Sequence, residues 1–291
     1  MTLRPEHATV MNGYLRAILG GDSASAGRLL DDDFVETYPQ SGERISGRVN
    51  ATEASARQPG GVTLIGEAHL SSCGEDRILV EALLDYGGPR YWMVGLYEIS
   101  RGRLHRSTAY FAAPFAAPDW RTRWVERFDP LDPVAWAGDG DGKAVERAEI
   151  ERVARLVASD QVAQVRARMH PDYRGSYMQS GETFDYEGLV AIDAEYPGGL
   201  PSMRLNRVEG ESERWIINPA NVPVRVSGGG DTWLTEYLMR YPSGERFHGV
   251  GFQIHRDQLV WRQRFYYCAP FEAAAFRADL VERIDPVATL D

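Results

Sequence analysis

The chain spells almost the same hexapeptide twice: YPQSGE from Tyr38 to Glu43, and YMQSGE from Tyr177 to Glu182. The flanks agree. DDDFVETYPQSGERISG reads beside HPDYRGSYMQSGETFDY, each with an acidic and an aromatic residue (Asp33-Phe34, Asp172-Tyr173) ahead of the match. Further on, YFAAPFAAPDWRTRWVERFDP reads beside YYCAPFEAAAFRADLVERIDP. An internal duplication constrains the fold more than any composition does, because two copies in 291 residues means two like domains of ordinary size.

The hexapeptides lie 139 residues apart, whereas Val125 and Val281 lie 156 apart, so the second copy holds a net 17 extra residues (156 − 139) between these landmarks. They fall in or near LPSMRLNRVEGESERWIINPANVPVRVSGGG, which reads as an extended hairpin. The Gly/Asp-rich LDPVAWAGDGDGKA, residues 131–144, reads as a linker, giving one domain over 1–130 and another over 145–291.

Each half opens with a helix. Val10, Met11, Tyr14, Leu15, Ile18 and Leu19 recur on one face before GGD, and Ile150, Val153, Leu156 and Val157 do so before ASD. A short second helix follows in each. FVETYP and ERISG read as strands joined by the Gln-Ser-Gly turn, and RVNATEASARQ and YEGLVAIDAEY as third helices. The remainder is β. YWMVGLYEI and RLHRSTAYFA match ERFHGVGFQIH and QLVWRQRFYY, with aromatics on both faces of the strands, as a sheet covered on both sides requires. Helices first and a curved antiparallel sheet second make an α+β unit.

Charge and motifs exclude several classes. A net charge of −10 without a basic stripe opposes nucleic-acid binding. No apolar run reaches the ~20 residues of a membrane span, and the opening lacks a secretory pattern, so a cytoplasmic protein is expected. Cys73 and Cys268 read as buried small hydrophobes, and the scattered histidines suggest no metal site. With no nucleophile elbow, Walker loop or Rossmann glycine pattern, no cofactor is expected.

The opening helix closed by GGD, the DDDFVETYPQSGERISG hairpin and the last strand with its APF tail resemble the nuclear transport factor 2-like superfamily, within it the SnoaL-like polyketide cyclases and ketosteroid isomerase. The resemblance occurs once per half. It implies a cone of three helices wrapped by a bent sheet, with a pocket between them. Members pair through the outer sheet face, so two copies imply an intrachain pseudo-dimer, with further homo-oligomers open.

The family's catalytic templates fit unevenly. The isomerase template places a tyrosine on the first helix, here Tyr14, a base near ETYP, where Tyr38 stands, and a protonated acid where Gly95 stands. In the second half these positions read Arg152, Tyr177 and Gly251. The epoxide hydrolase template pairs acids with arginine. Arg106 and Arg262 on the last strands, with Glu81 and Glu236 on neighbouring strands, offer such pairs. Cross-strand ion pairs on a solvated face explain them equally.

Tyr38, Gln40 and Glu43 sit around the Gln-Ser-Gly turn as a pocket rim, or as turn chemistry alone. In APF, Pro stops the ladder and Phe is expected to plug the core; the VERFDP and VERIDP tails are expected to cross to the neighbouring domain.

The reading is thus a cofactor-independent SnoaL-like enzyme using cyclase-, isomerase- or lyase-like acid–base chemistry on a small hydrophobic, polyketide-like molecule. Glu81 or Glu236 is the expected base, with Arg106 or Arg262 beside it; Tyr14, Tyr38, Gln40 and Tyr110, and Tyr177, Gln179 and Tyr266, line the pockets. The alternative is a non-catalytic binding or assembly module. The halves differ where a pocket would be lined: Glu36 against Gly175, Pro39 against Met178, Arg44 against Thr183.

Overall fold

Gly20, Gly21 and Asp22 end one helix and begin the next. Helix α1 (Pro5–Leu19) starts with proline at its first turn and stops where Gly21 takes a φ of 70°; the Asp22 carboxylate then accepts from the Ser25 N–H to cap α2 (Ser23–Arg28). The computed structural model describes residues 3–132, 136, 138–158, 162–198, 215–217 and 223–284.

After α2 come β1 (Leu30–Tyr38), β2 (Glu43–Ser46), α3 (Arg48–Ala56) and four long strands, β3 (Thr63–Ser72), β4 (Arg77–Asp85), β5 (Arg90–Ser100) and β6 (Arg103–Ala112). A 3-10 turn (Asp119–Trp124) and a short β7 (Glu126–Arg127) follow. The second copy repeats the series as α4 (Arg147–Ala158), α5 (Val162–Arg166), β8 (Met169–Tyr177), β9 (Glu182–Phe184), α6 (Tyr186–Ala194), β10 (Trp215–Ile217), β11 (Pro223–Gly229), β12 (Thr232–Arg240), β13 (Arg246–Arg256) and β14 (Leu259–Cys268). A 3-10 turn (Ala275–Arg277) and β15 (Val281–Arg283) close it. The duplicated α+β plan is as the repeat predicts. Of the extra residues in the second copy, 199–214 and 218–222 lie outside the described residues, as do 133–135 and 137 of the linker.

The sheets run β15-β2-β1-β6-β5-β4-β3 and β10-β11-β12-β13-β14-β8-β9-β7. Each is antiparallel except where β1 meets β6 and β8 meets β14. The sheet orders also show that β7, from the first repeat, pairs with β9, and β15, from the second, pairs with β2. The compact units follow this pairing. One, here the N-terminal unit, joins Thr2–Ala113 to Pro270–Ala288; the other, the C-terminal unit, is Pro114–Ala269. The boundaries expected at 130 and 145 are therefore corrected, because chain order misassigns the tails: each repeat's tail completes the other's sheet.

In the N-terminal unit the helices bury Met11, Tyr14, Ala26 and Ala54 against Phe34, Ile78, Val80 and Tyr97. Alternation along the strands turns Leu79, Glu81, Leu83, Trp92, Val94 and Tyr110 to the opposite face, and these are buried too. The C-terminal unit does the same with Leu234, Glu236, Leu238, Val250, Phe252 and Tyr266. Cys73 and Cys268 are buried free thiols.

Candidate active site

The period of two along β1 places Phe34, Glu36 and Tyr38 on the helix-facing side. Phe34 is fully buried, whereas Glu36 and Tyr38 keep part of their surface accessible. Across the parallel ladder Glu36 stands opposite Ser107 of β6, which stands opposite Tyr97 of β5. Ser107 donates to the Glu36 carboxylate at 3.2 Å, and Tyr38 donates to it as well. From α1, Tyr14 meets Tyr97 edge-on at 6.0 Å between ring centres. From the exchanged C-terminal segment, Arg277 lies over the Tyr38 ring at 4.1 Å.

The electrostatics follow from this enclosure. Burial pushes the Glu36 carboxyl above its usual range, against hydrogen bonds from Tyr38 and Ser107 and the charge of Arg277. Burial first, and the Glu36 charge second, push the Tyr14, Tyr38 and Tyr97 hydroxyls far above theirs, so all three stay protonated. Tyr86 rises to about 12, again through burial. One carboxyl among protonated phenols can take a proton and have oxyanion donors at hand.

The C-terminal unit has the same frame without the acid. Gly175 replaces Glu36, and a Cβ there would come within 2.7 Å of the Tyr173 hydroxyl and closer still to the Phe184 ring. Aromatics occupy the space: Tyr177 packs on Phe184 at 4.6 Å, Phe265 at 5.7 Å and Tyr267 at 5.8 Å. Burial, and then the charge of Asp193 on α6, raises the Tyr173 and Tyr177 hydroxyls. The carboxylate that these tyrosines sense has moved from a strand to a helix.

Of the residues expected from sequence, the structure brings Tyr14 and Tyr38 together. It does not bring Glu81 to them, because β4 alternation turns Glu81 to the face away from the helices, opposite Val94. Arg106 stands opposite Glu98 on that face, four positions along and two strands over from Glu81, about 13 Å along the strand direction alone. Tyr110 shares that face. Glu236 and Tyr266 have the corresponding orientation in the second sheet, and Arg262 stacks on Trp261 at 3.8 Å while donating to the Asp172 carbonyl. Parity thus turns each glutamate and its arginine to one face away from the helices, and register sets them four positions apart along it.

Gln40 and Gln179 each clamp the backbone of a last-strand residue. Gln40 accepts from the Phe111 N–H at 2.6 Å and donates to its carbonyl at 2.9 Å; Gln179 does the same at Tyr267, at 2.6 and 3.2 Å. Tyr177 is buried in the aromatic cluster. The phenylalanines of APF do not plug the core: Phe115 and Phe271 are exposed, and their N–H groups donate to the Gln179 and Gln40 carbonyls where each tail crosses over.

Sequence reasoning placed Glu36 at a pocket lining but did not make it the base, and it missed Tyr97, Ser107 and Arg277. The signal for Glu36 was present: a carboxylate in phase with Phe34 and Tyr38, changed to glycine in the other copy. Among the described residues one group, Asp31, Asp33 and His105, gathers possible metal ligands within 4.8 Å, with Asp33 exposed. Its histidine Nδ1 lies 3.6 and 3.4 Å from the two acids.

No family model and no curated protein sequence matches the chain. Among solved structures, an NTF2-like protein of unknown function from Burkholderia xenovorans LB400 is 30% identical over 42% of this chain and 95% of its own, with a TM-score of 0.39. A Kribbella flavida DSM 17836 protein provisionally described as a ketosteroid isomerase is 24% identical, covering 42% of this chain and 89% of its own, TM-score 0.38. An LEH-like epoxide hydrolase of M. tuberculosis is 26% identical, covering 36% and 82%, TM-score 0.31. Each match spans about one repeat of this chain.

Proposed function

Because the chain belongs to the nuclear transport factor 2-like family, with two copies of its domain, we propose that the N-terminal unit is a cofactor-independent acid–base catalyst. Its substrate is a small apolar molecule with an acidic C–H beside a carbonyl. The single observation that carries this is Glu36, a partly accessible carboxyl among protonated tyrosines. Its raised pKa makes it a stronger base, and apolar walls keep water from weakening that effect. In the proposed step Glu36 takes the carbon-bound proton, and a tyrosine hydroxyl, Tyr14 or Tyr97, donates to the enolate oxygen that forms. Return of the proton to another carbon gives isomerisation, and attack of the enolate on a second carbonyl gives cyclisation. The C-terminal unit, with glycine at the base position, is the non-catalytic copy.

Hydrogen–deuterium exchange at the α-carbon of a panel of cyclic ketones in D2O, followed by NMR, tests the reading without knowledge of the natural substrate. Exchange is expected with the wild type, and Glu36→Gln is expected to lower it by a factor of about 100 or more. Equal exchange in both proteins, or none with any ketone, overturns the assignment and favours a binding module.

A further inference from the structure

The repeated hexapeptide has one purpose that the exchanged tails make visible. In YPQSGE, Gln40 clamps the last strand, Gly42 turns the chain at a φ of 66°, and Ser41 donates to Glu43 at 2.5 Å. Glu43 is fully buried and accepts Arg277 through two bonds, 3.1 Å from Nε and 2.8 Å from Nη2. Burial alone would raise the Glu43 carboxyl, but Arg277 and Ser41 hold it below its usual range. In YMQSGE the same parts recur: Gly181 has a φ of 64°, Ser180 donates to Glu182, and Arg121 reaches Glu182 at 3.0 and 2.5 Å. Arg121 also lies over Tyr177 at 4.7 Å. Arg121 and Arg277 are the same position of the repeat, 156 residues apart. Each motif is therefore a receptor for an arginine carried by the tail of the other copy.

In the N-terminal unit that arginine also acts on the charge of Glu36, a partly accessible carboxylate on β1. We propose that Arg277, delivered by the second repeat's tail, is the positioning residue of the Glu36 site: it fixes the Tyr38 ring that donates to Glu36 and sets the charge behind it. This rests on the reading of Glu36 as the site's acid–base group. Glu43 holds the guanidinium in a bidentate fork, which keeps it over the Tyr38 ring rather than swinging toward solvent. Among the described residues the groups facing Glu36 are Tyr14 of α1, Tyr38 of its own strand, Tyr97 of β5, Tyr86 after β4, Ser107 of β6 and Arg277, and of these Arg277 is the cation. A tail lock of purely mechanical purpose would leave Glu36 untouched.

The experiment is NMR titration of the Glu36 carboxyl carbon in the full chain labelled with 13C-glutamate, with Glu36→Gln assigning the signal. Arg277→Met alone strands the buried Glu43 carboxylate and threatens the fold, so the comparison uses a Glu43→Gln background, in which removing the arginine strands no buried carboxylate. Adding Arg277→Met is expected to move the Glu36 midpoint to higher pH, and Arg277→Lys to restore most of the change by returning the charge. Ketone exchange should fall at least tenfold with Met, chiefly in kcat. An identical Glu36 midpoint with Arg, Lys and Met at position 277 overturns the inference. The acid–base reading is judged separately, by whether the wild-type midpoint lies above that of ordinary carboxyls.

Discussion

Position 36 in the N-terminal unit and position 175 in the C-terminal unit occupy the same place in the same strand pair, and one holds a carboxylate where the other holds nothing. Around them the frame is kept: clamp glutamine, turn glycine, buried glutamate and exchanged arginine occur in both. What changed is the filling. Phe34 and Ile45 in the first unit correspond to Tyr173 and Phe184 in the second, larger groups that take the volume a side chain at 175 would need. The hexapeptide preserves assembly, while the proposed chemistry rests chiefly on Glu36, Tyr14 and Tyr97, which lie outside it.

If the arginine lock is common to both units, its loss should cost the same in each. Arg121→Met and Arg277→Met each leave a fully buried carboxylate without its partner, and each should lower the stability of its unit by about 3–5 kcal/mol in urea unfolding. A large inequality between the two would break the comparison at its base.

Acid should separate the units next. His248 and His255, buried in the C-terminal unit, have pKa values lowered to about 4, in both cases chiefly by burial; their counterparts in the first repeat are Trp92 and Ile99. A depressed folded-state value stabilises above the unfolded value of about 6.5, and that contribution is lost as pH falls from there toward 4. Each histidine accounts for about 3 kcal/mol over this window. Glu36 has the opposite sign: its raised value gives a contribution fully present below the unfolded carboxyl range and lost as pH rises through the folded value. Urea midpoints measured between pH 7.5 and 5 should fall in the C-terminal unit, and His255→Asn should flatten that fall. A midpoint independent of pH there would refute the buried-neutral assignment.

The filling can be exchanged as well. Gly175→Glu alone should cost about 1–3 kcal/mol by overpacking against Tyr173 and Phe184. Installing Tyr173→Phe and Phe184→Ile with it reproduces the first unit's trio and should recover most of the loss, read as the thermal midpoint. Gln179→Ala, which removes two hydrogen bonds at Tyr267, should cost about 1–2 kcal/mol, and Gln40→Ala a similar amount at Phe111.

Much of the fold was readable because repetition doubled every signal. GGD marked a helix end in fact, ERISG a strand, and RVNATEASARQ a helix, each supported by its copy. The unit boundaries were not readable, since sequence order carries no sign that a tail departs for another sheet. The site was half legible. Tyr14 and Tyr38 were found by the family template, yet the base was sought on β4, where Glu81 is in phase with Leu79 and Leu83 on the far face. Periodicity along a single strand gives parity but not which parity faces the helices; Phe34, fully buried beside Glu36, would have decided it for β1. Arg277 lay beyond any local reading, 241 residues from Glu36 in the chain (277 − 36) and joined to it only through the exchange.

The crossing of the tails bears on how such a chain is inherited. Had each repeat kept its own tail, a gene encoding the pair could be split at the linker into two independent proteins. With tails exchanged, either half alone leaves one buried glutamate without its arginine and carries an arginine with no seat. Fusion in one polypeptide turns that mutual need into an intramolecular event at high effective concentration. It also frees the second copy to lose its carboxylate, because the duty that keeps it in the chain is to deliver Arg277.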